Sequence, residues 1–297
     1  MNTYVATGKN EKRPAKSKAY AAIVWHEFKK NKGALIGLGL VIFFISIGLL
    51  APYISPHDPL LMNQANRLQP PSITHWLGTD EHGRDLMSRI IHGARISTTV
   101  GVVAVLIAGV GGVTLGLTAG YWKSADAIIM TMIDLLMAFP FLLLAIGIVS
   151  ILGPSLTNTM IAVGIGGIAG YCRVTRAEVL RVRELEFVEA AHALGYSNAR
   201  IILNHILPNV LAPIIVMVTL TLGSSILGAA ALSFLGLGAQ PPQPEWGFML
   251  NSARSFVMRA WWYSVFPGLA IMLMVLGFNM LGDGLRDALD PRLKNMM

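Results

Sequence analysis

Charged residues are scarce in this chain of 297 residues. Only 13% are Asp, Glu, Lys or Arg, whereas 54% are hydrophobic. Soluble globular chains carry roughly a quarter charged residues, so this balance indicates a membrane protein. The net charge of +7 does not indicate a partner nucleic acid, because the basic residues cluster at the ends of apolar runs and form no aromatic-rich basic face.

Cysteine is almost absent too, since Cys172 is the only one. A single cysteine excludes an internal disulfide and a multi-cysteine metal site, and its position at the end of an apolar run predicts a small buried side chain. The seven histidines form no HExxH motif or close ligand pair, so we expect no metal site. The sequence also lacks a G-x-S-x-G elbow and a GxxxxGK[ST] loop. We therefore expect neither a catalytic nucleophile nor ATP binding by this chain.

Long apolar runs are abundant instead, and they predict an all-α polytopic membrane protein. A helix needs about 20 apolar residues to cross a bilayer. The uncharged runs predict six transmembrane helices, at 33–56, 96–122, 127–151, 156–172, 209–235 and 262–281. Gly153-Pro154-Ser155 separates the third span from the fourth, and Pro140 predicts a kink within the third, which would serve gating or be merely tolerated.

The distribution of basic residues predicts the orientation. With the N-terminus inside, the inner segments hold 17 Lys and Arg residues and the outer segments hold 6, so both termini are predicted to be cytoplasmic. The predicted divisions are a cytoplasmic segment at 1–32, a first transmembrane helix at 33–56, an extracytoplasmic loop with an interfacial helix at 57–95, a five-helix core at 96–285 with a cytoplasmic loop at 173–208, and a cytoplasmic tail at 286–297.

The cytoplasmic loop has a helix–corner–helix pattern. Apolar residues at Leu185, Val188, Ala191 and Leu194 predict one face of a helix over 181–194. Gly195 suits a left-handed helix stop, and Ser197 suits the cap of a second helix that begins at Asn198. Periodicity alone leaves open a solvated loop that merely joins two spans.

Five short motifs in the chain resemble those of known transport proteins. Glu189-Ala190-Ala191, Gly195 and Leu207-Pro208 resemble the EAA loop of binding-protein-dependent ABC importer permeases, although His205 stands where that family usually has isoleucine, with Ile206 beside it. Four further motifs resemble those of the dipeptide, oligopeptide and nickel permeases: Leu77-Gly78-Thr79-Asp80-Glu81-His82-Gly83-Arg84-Asp85, Phe234-Leu235-Gly236-Leu237-Gly238, Pro244-Glu245-Trp246-Gly247 and the segment 282–291. The likeness extends over about residues 25–294 and is closest to the C-type permeases of dipeptide systems.

This resemblance implies a type I ABC importer permease fold and a non-catalytic subunit of the bacterial inner membrane. It implies a heterodimer with a second permease, two ATP-binding subunits that carry ATP and Mg, and an extracytoplasmic substrate-binding protein. The EAA loop would be the coupling helix that sits in a groove of the ATPase. The implied cargo is a dipeptide or short oligopeptide, with glutathione, D-alanyl-D-alanine or nickel as alternatives.

Two sets of charged residues have more than one interpretation. Asp134, the one acidic residue inside a predicted span, either faces the translocation path or pairs with a neighbouring helix or the interface. Asp80, Glu81, Arg84 and Asp85 suggest acid–base or metal chemistry, but a salt-bridged outer cap is the favoured interpretation, followed by an interfacial helix at 89–95. An ion-coupled secondary transporter would have only Asp134 as an intramembrane ligand, and an intramembrane enzyme would lack a nucleophile.

Overall fold

The structure is a computed structural model that describes residues 24–289, and within this range it contains helices and no strand. Residues 1–23 and 290–297, which include most of the predicted cytoplasmic N-terminal segment and of the tail at 286–297, lie outside the described part. After a helical segment at 24–30, the helices are α1 (Lys32–Leu49), α2 (Ala51–Ile54), α3 (Leu86–Tyr121), α4 (Lys123–Met137), α5 (Phe141–Leu152), α6 (Leu156–Arg183), α7 (Glu186–Ala193), α8 (Asn198–Ile201), α9 (Leu207–Phe234), α10 (Trp246–Ala253) and α11 (Trp261–Ala288).

Within residues 24–289, four helical stretches are long and apolar enough to cross a membrane: Lys32–Leu49, Leu86–Tyr121, Asn198–Phe234 and Trp261–Ala288. The pair α4 and α5 meets the same criterion jointly, although its two halves are bent by 91°. Helix α6 does not meet it, since polar residues such as Asn158 and Arg173 lower its hydropathy. The all-α fold is thus confirmed with four or five apolar spans, and the count of six stays a prediction.

The predicted third span at 127–151 is wrong as a single helix. Helix α4 ends at Met137, and α5 begins at Phe141 with Pro140 as its N-cap residue in an extended conformation. Proline lacks the N–H that would continue the α4 hydrogen bonds, and it disfavours helical geometry in the residue before it. The predicted kink at Pro140 is therefore present as a full break between two helices.

Two other helix limits differ from their predictions. The helix expected at 33–56 ends at Leu49, and the single turn Ala51–Ile54, with Pro52 at its start, follows it. The separate interfacial helix expected at 89–95 is instead the first part of α3, which begins at Leu86 and continues to Tyr121. Ser88, Arg89 and His92 find hydrogen-bond partners in the segment 55–59, so these polar side chains do not end the helix.

Close packing of α3 on α6 forms the centre of the fold. A Cβ atom on Gly116 would lie 2.6 Å from the backbone oxygen of Cys172, and one on Gly120 would lie 2.6 Å from Cβ of Val179. Small residues let helices approach closely in lipid, so these glycines serve packing. Cys172 is fully buried at this contact, as predicted.

Candidate functional site

The corner between α7 and α8 has the geometry that the sequence predicts. Gly195 has φ +76°, in the left-handed region. The N–H of Gly195 donates to the carbonyl oxygen of His192 at 2.9 Å, and the N–H of Tyr196 donates to that of Ala191 at 3.1 Å. These two bonds form a Schellman motif. Ser197 occupies the N-cap position of α8 as predicted, but its side chain makes no capping hydrogen bond.

The predicted apolar stripe is divided between two environments. Val188 and Ala191 are buried in a cluster with Val179, Ile201 and Ile206. The helix expected over 181–194 is interrupted at Glu184 and Leu185, so Leu185 precedes α7 and does not share its inner face. Leu185 and Leu194 are exposed, and so are Phe187, Glu189, Ala190 and Leu203. The segment 184–203, hereafter the hook, thus has a buried base and an exposed apolar surface.

A π-helical turn connects the hook to α9 and accounts for the unusual His205. The turn spans Ile202–Ile206, and it rotates the chain relative to a regular α-helix. Ile206 is fully buried in the hook cluster, whereas the ring of His205 stacks on Tyr196 with centroids 5.8 Å apart. Leu207 follows the turn, and Pro208 follows it directly at the start of α9.

Two ion pairs join α4 to α6. Arg176 donates two hydrogen bonds to Asp126, at 2.5 and 2.6 Å, and both side chains are half-buried. Arg173 donates one hydrogen bond of 2.6 Å to Asp134, and here the side chains remain 45% and 60% exposed. Asp134 therefore pairs with a neighbouring helix, one of its two predicted roles. Arg173 was missed as its partner because nothing in the spacing of the two residues connects them.

The charged motif at 77–85 forms a buried cap over the helix ends. Asp80 accepts hydrogen bonds from Nε of Arg84 at 2.6 Å and from the N–H of His82 and of Arg84 at 2.8 and 2.9 Å. Nε of Arg89 lies 3.5 Å from the same carboxylate, and all three charged side chains are almost fully buried. This geometry agrees with the salt-bridged cap, because a carboxylate that is engaged by two guanidinium groups is a poor general base or metal ligand.

Backbone contacts hold the other residues of this motif. Gly78 and Gly83 have φ of +81° and +71°, and a Cβ on Gly83 would overlap the backbone of Asn63. Thr79 is buried, and its carbonyl oxygen accepts a hydrogen bond of 3.3 Å from Nε1 of Trp262 in α11. The glycines are therefore required by the tight turns of the cap.

Asp85 is the N-cap residue of α3, and two histidines lie beside it. Its Oδ2 accepts hydrogen bonds from the N–H and Oγ of Ser88 at 2.8 and 2.7 Å. Its Oδ1 lies 2.9 Å from Nδ1 of His75 and 3.7 Å from Nδ1 of His57. His57 and His75 form no close pair in the sequence, but the fold of the loop between α2 and α3 brings together these residues, which are 18 positions apart.

Glu245 caps α10 from a fully buried position in the second outer loop. Its carboxylate accepts hydrogen bonds from the N–H groups of Gly247 and Phe248 at 2.9 and 2.8 Å. Burial raises the pKa of Glu245 above its ordinary value, although the two backbone donors oppose this shift.

Comparisons with known proteins agree on one family. The family described as binding-protein-dependent transport system inner membrane component matches residues 112–295, and the N-terminal TM domain of oligopeptide transport permease C matches residues 20–71. The chain belongs to this permease family. The permease is therefore a non-catalytic, multi-pass inner-membrane subunit of an ABC importer that works with an ATPase and a binding protein. An ion-coupled secondary transporter is not favoured.

Individual relatives cover almost the whole permease. It is 52% identical to the dipeptide transport system permease protein DppC of Alkalihalophilus pseudofirmus, over 95% of this chain and 94% of the relative. It is 49% identical to the di/tripeptide transport system permease protein DppC of Pseudomonas aeruginosa, over 91% and 92%. The glutathione transport system permease protein GsiD of Pectobacterium atrosepticum is 46% identical, over 91% of each chain.

A solved structure has the same fold. The MetNI methionine ABC transporter in its inward-facing conformations aligns with a TM-score of 0.56 at 16% identity, over 69% of this permease and 98% of that chain. This likeness confirms the ABC importer permease fold.

Proposed function

We propose that the permease carries dipeptides or short oligopeptides inward across the membrane, as one of two different permease subunits above two ATP-binding subunits. The named relatives support the cargo, since two are described as dipeptide or di/tripeptide permeases. ATP and Mg bind to the partner subunits, and an extracytoplasmic binding protein delivers the peptide. This chain contributes no cofactor of its own.

The hook is the observation that carries the proposal. Its base is packed through Val188 and Ala191, so the hook moves together with α6 and α9. Its outer surface exposes Phe187, Leu194 and Leu203, which are apolar side chains that water does not favour. A groove on the ATPase covers this surface, and Glu189 and Ala190 lie at the contact. ATP binding draws the two hooks of the permease pair together and opens the path outward, and hydrolysis resets it inward.

The Asp134–Arg173 pair lies on the proposed translocation path. An exposed charged pair on lipid-facing helices would be costly, because charges inside a bilayer are expensive unless they face a watery cavity or a protein partner. Asp134 lies on α4, two turns before the break at Pro140, and Arg173 lies on α6. We therefore place α4 and α6 at the path, with Pro140 as the point where the α4–α5 pair changes direction during gating.

Uptake by the assembled transporter tests the function. The permease is reconstituted in vesicles with its second permease, the ATPases and the candidate binding protein, and labelled dipeptide, glutathione and nickel are offered separately. We expect ATP-dependent dipeptide uptake that requires the binding protein. ATP-dependent uptake of nickel or glutathione without dipeptide uptake would contradict the proposed cargo, and uptake without ATP would contradict the mechanism.

A further inference from the structure

Two histidines and one aspartate converge in the outer loop, away from the hook and the proposed path. Nδ1 of His75 lies 2.9 Å from Oδ1 of Asp85, and Nδ1 of His57 lies 3.7 Å from the same oxygen. The three potential ligand atoms all lie within 4.8 Å of one another. His75 and Asp85 are buried, whereas the side chain of His57 is 41% exposed. The side chains of His75 and Asp85 are therefore fixed by packing, whereas that of His57 can move.

We propose that His57, His75 and Asp85 bind a divalent transition-metal ion such as Zn²⁺ on the extracytoplasmic side. Imidazole nitrogen and carboxylate oxygen bind Zn²⁺ at about 2.0–2.2 Å, which places neighbouring tetrahedral ligand atoms about 3.3 Å apart. The distances of 2.9 and 3.7 Å bracket this value. A small movement of the exposed His57 side chain brings all three atoms to one ion.

Asp85 is oriented for this role by the start of α3. Its Oδ2 is held by the N–H and Oγ of Ser88, so its Oδ1 points away from the helix and towards the two imidazole rings. A carboxylate whose second oxygen is already held by hydrogen bonds loses little conformational freedom when its first oxygen binds a metal. Hydrogen bonds of this kind to a metal ligand commonly influence the affinity for the metal.

His75 is also held through its second ring nitrogen, the one that would not bind the metal. Its Nε2 lies 3.3 Å from the side-chain amide of Asn66. With a metal on Nδ1, the ring carries its proton on Nε2, which requires an acceptor. Rotation of the Asn66 amide by half a turn presents its oxygen to that proton, in exchange for the 3.3 Å hydrogen bond that this oxygen accepts from Nε2 of Gln69.

The cluster also has room for the remaining ligands. It borders a cavity of about 380 Å³ that Asp58, Asn63 and Gln69 line as well. Water in this cavity completes a tetrahedral site. A second group of possible ligands, Asp80, Glu81 and His82, does not compete, because the Arg84 guanidinium occupies the carboxylate of Asp80 and repels a cation.

A bound ion joins three separate parts of the outer loop. His57 follows α2, His75 lies in the middle of the loop, and Asp85 begins α3. An ion that binds the folded loop and not the unfolded chain raises the stability of the fold according to its affinity. The outer cap is then stabilised by metal, independently of which substrate is carried.

Zinc binding by variants of the assembled transporter tests the site. The complex is purified with a histidine-free tag, depleted of metal and titrated with Zn²⁺, and its melting temperature is recorded. His57→Gln is compared with His82→Gln, because both side chains are 41% exposed in the same loop. We expect His57→Gln to lower zinc affinity at least tenfold, in line with loss of a metal ligand, and to abolish the zinc-dependent rise in melting temperature, while His82→Gln matches the wild type.

A replacement ligand keeps the test decisive if His57→Gln folds poorly. His57→Cys in a Cys172→Ser background supplies a thiolate at the same position, and we expect it to restore binding and to give a sulfur–Co²⁺ charge-transfer band with Co²⁺ as the probe. Equal zinc affinity in His57→Gln and wild type, loss of zinc in His82→Gln, or a missing Co²⁺ band in His57→Cys would overturn the proposal. The binding measurements require no transport, so they do not depend on the proposed cargo.

Discussion

At the scale of single residues, Gly195 provides the sharpest test of the hook. It has φ +76°, and no heavy atom lies within 4 Å of the position that a Cβ atom would take. A substitution there therefore changes the energy of the backbone conformation and does not disturb the packing of neighbouring side chains. We expect Gly195→Val to insert normally but to lose ATPase docking and transport, because a β-branched residue disfavours positive φ.

The matched control is Gly195→Asn, since asparagine visits the left-handed region readily. We expect it to retain most uptake and most ATPase copurification. Full uptake by Gly195→Val, or an equal loss in both variants, would show that the left-handed corner is not what matters.

Glu245 gives a pH-dependent prediction. Burial raises its pKa in the folded protein above the ordinary value of about 4.3. Folding therefore favours the protonated form of Glu245. The stability that this preference contributes is fully present below the ordinary pKa, and it is lost as the pH rises through the raised pKa of the folded protein. Glu245→Gln does not ionise, and it keeps an acceptor for only one of the two N–H groups of Gly247 and Phe248, because these bind different carboxylate oxygens. Its melting temperature relative to that of wild type should rise as the pH increases above about 4.

Glu186→Gln, an exposed glutamate in the first turn of α7, controls for the removal of a charge. Its exposed position predicts only a small change in melting temperature. A constant difference between Glu245→Gln and wild type across the same pH range would mean that the carboxyl of Glu245 does not titrate as its burial implies.

Sequence reasoning found residues whose roles are local and missed residues whose partners are distant. Gly195 and the cap residue Asp80 could be read from short motifs, because a left-handed corner and a tight salt-bridged turn each depend on a few consecutive residues. The pairing of Asp134 with Arg173, and of His57 with His75, depends on how helices and loops meet in space. No spacing rule along the chain encodes such meetings.

At the scale of elements, the contact between α4 and α6 has a structural ion pair. Arg176 binds both carboxylate oxygens of Asp126, and both side chains are half-buried. Hydrogen bonds to charged groups contribute about 1.5–3 kcal/mol to stability. We expect Asp126→Arg and Arg176→Asp each to lower the melting temperature and the yield of the assembled complex, and the double exchange to recover most of both. An additive loss in the double variant would rule out a direct pair.

Asp134 should behave differently, because its pair with Arg173 is exposed. Exposed pairs contribute about 0–1 kcal/mol, so Asp134→Asn should leave the melting temperature nearly unchanged. Its proposed position on the path predicts a several-fold fall in peptide uptake with normal ATPase docking. Unchanged uptake by Asp134→Asn would remove Asp134 from the path. Asp126→Asn, which breaks the half-buried pair on the same helix, is the comparison.

Helix existence was predictable from the sequence, and helix breaks were not. Apolar runs and the Gly153-Pro154-Ser155 turn located the spans because the bilayer demands length and low charge. The 91° bend between α4 and α5 is larger than the kink that Pro140 predicts, because proline also disfavours helical geometry in the residue before it. The α3 start at Leu86 was missed because its polar first turns are satisfied by the outer loop, which sequence periodicity does not register.

At the scale of the whole molecule, the number of crossings determines which side each loop faces. The bent α4–α5 pair either crosses the membrane or returns to the side where it began. If it returns and α6 still crosses, the hook lies outside, where no ATPase can reach it. If neither crosses, the hook stays inside but the turn between α5 and α6 lies inside too. Single-cysteine labelling separates these arrangements.

The labelling sites are exposed positions in four loops: Ser72, Pro154, Ser197 and Gln243. Each is changed to cysteine in a Cys172→Ser background, and intact cells are treated with a membrane-impermeant maleimide. Six crossings with both termini inside predict labelling at 72, 154 and 243, and labelling at 197 only after the membrane is permeabilised. Labelling of 197 in intact cells would make the bent pair re-entrant and would contradict the proposed docking of the hook. Protection of both 154 and 197, with 72 and 243 labelled, would leave the hook inside but reduce the crossings to four, because α4–α5 and α6 would then both stay on the inner side.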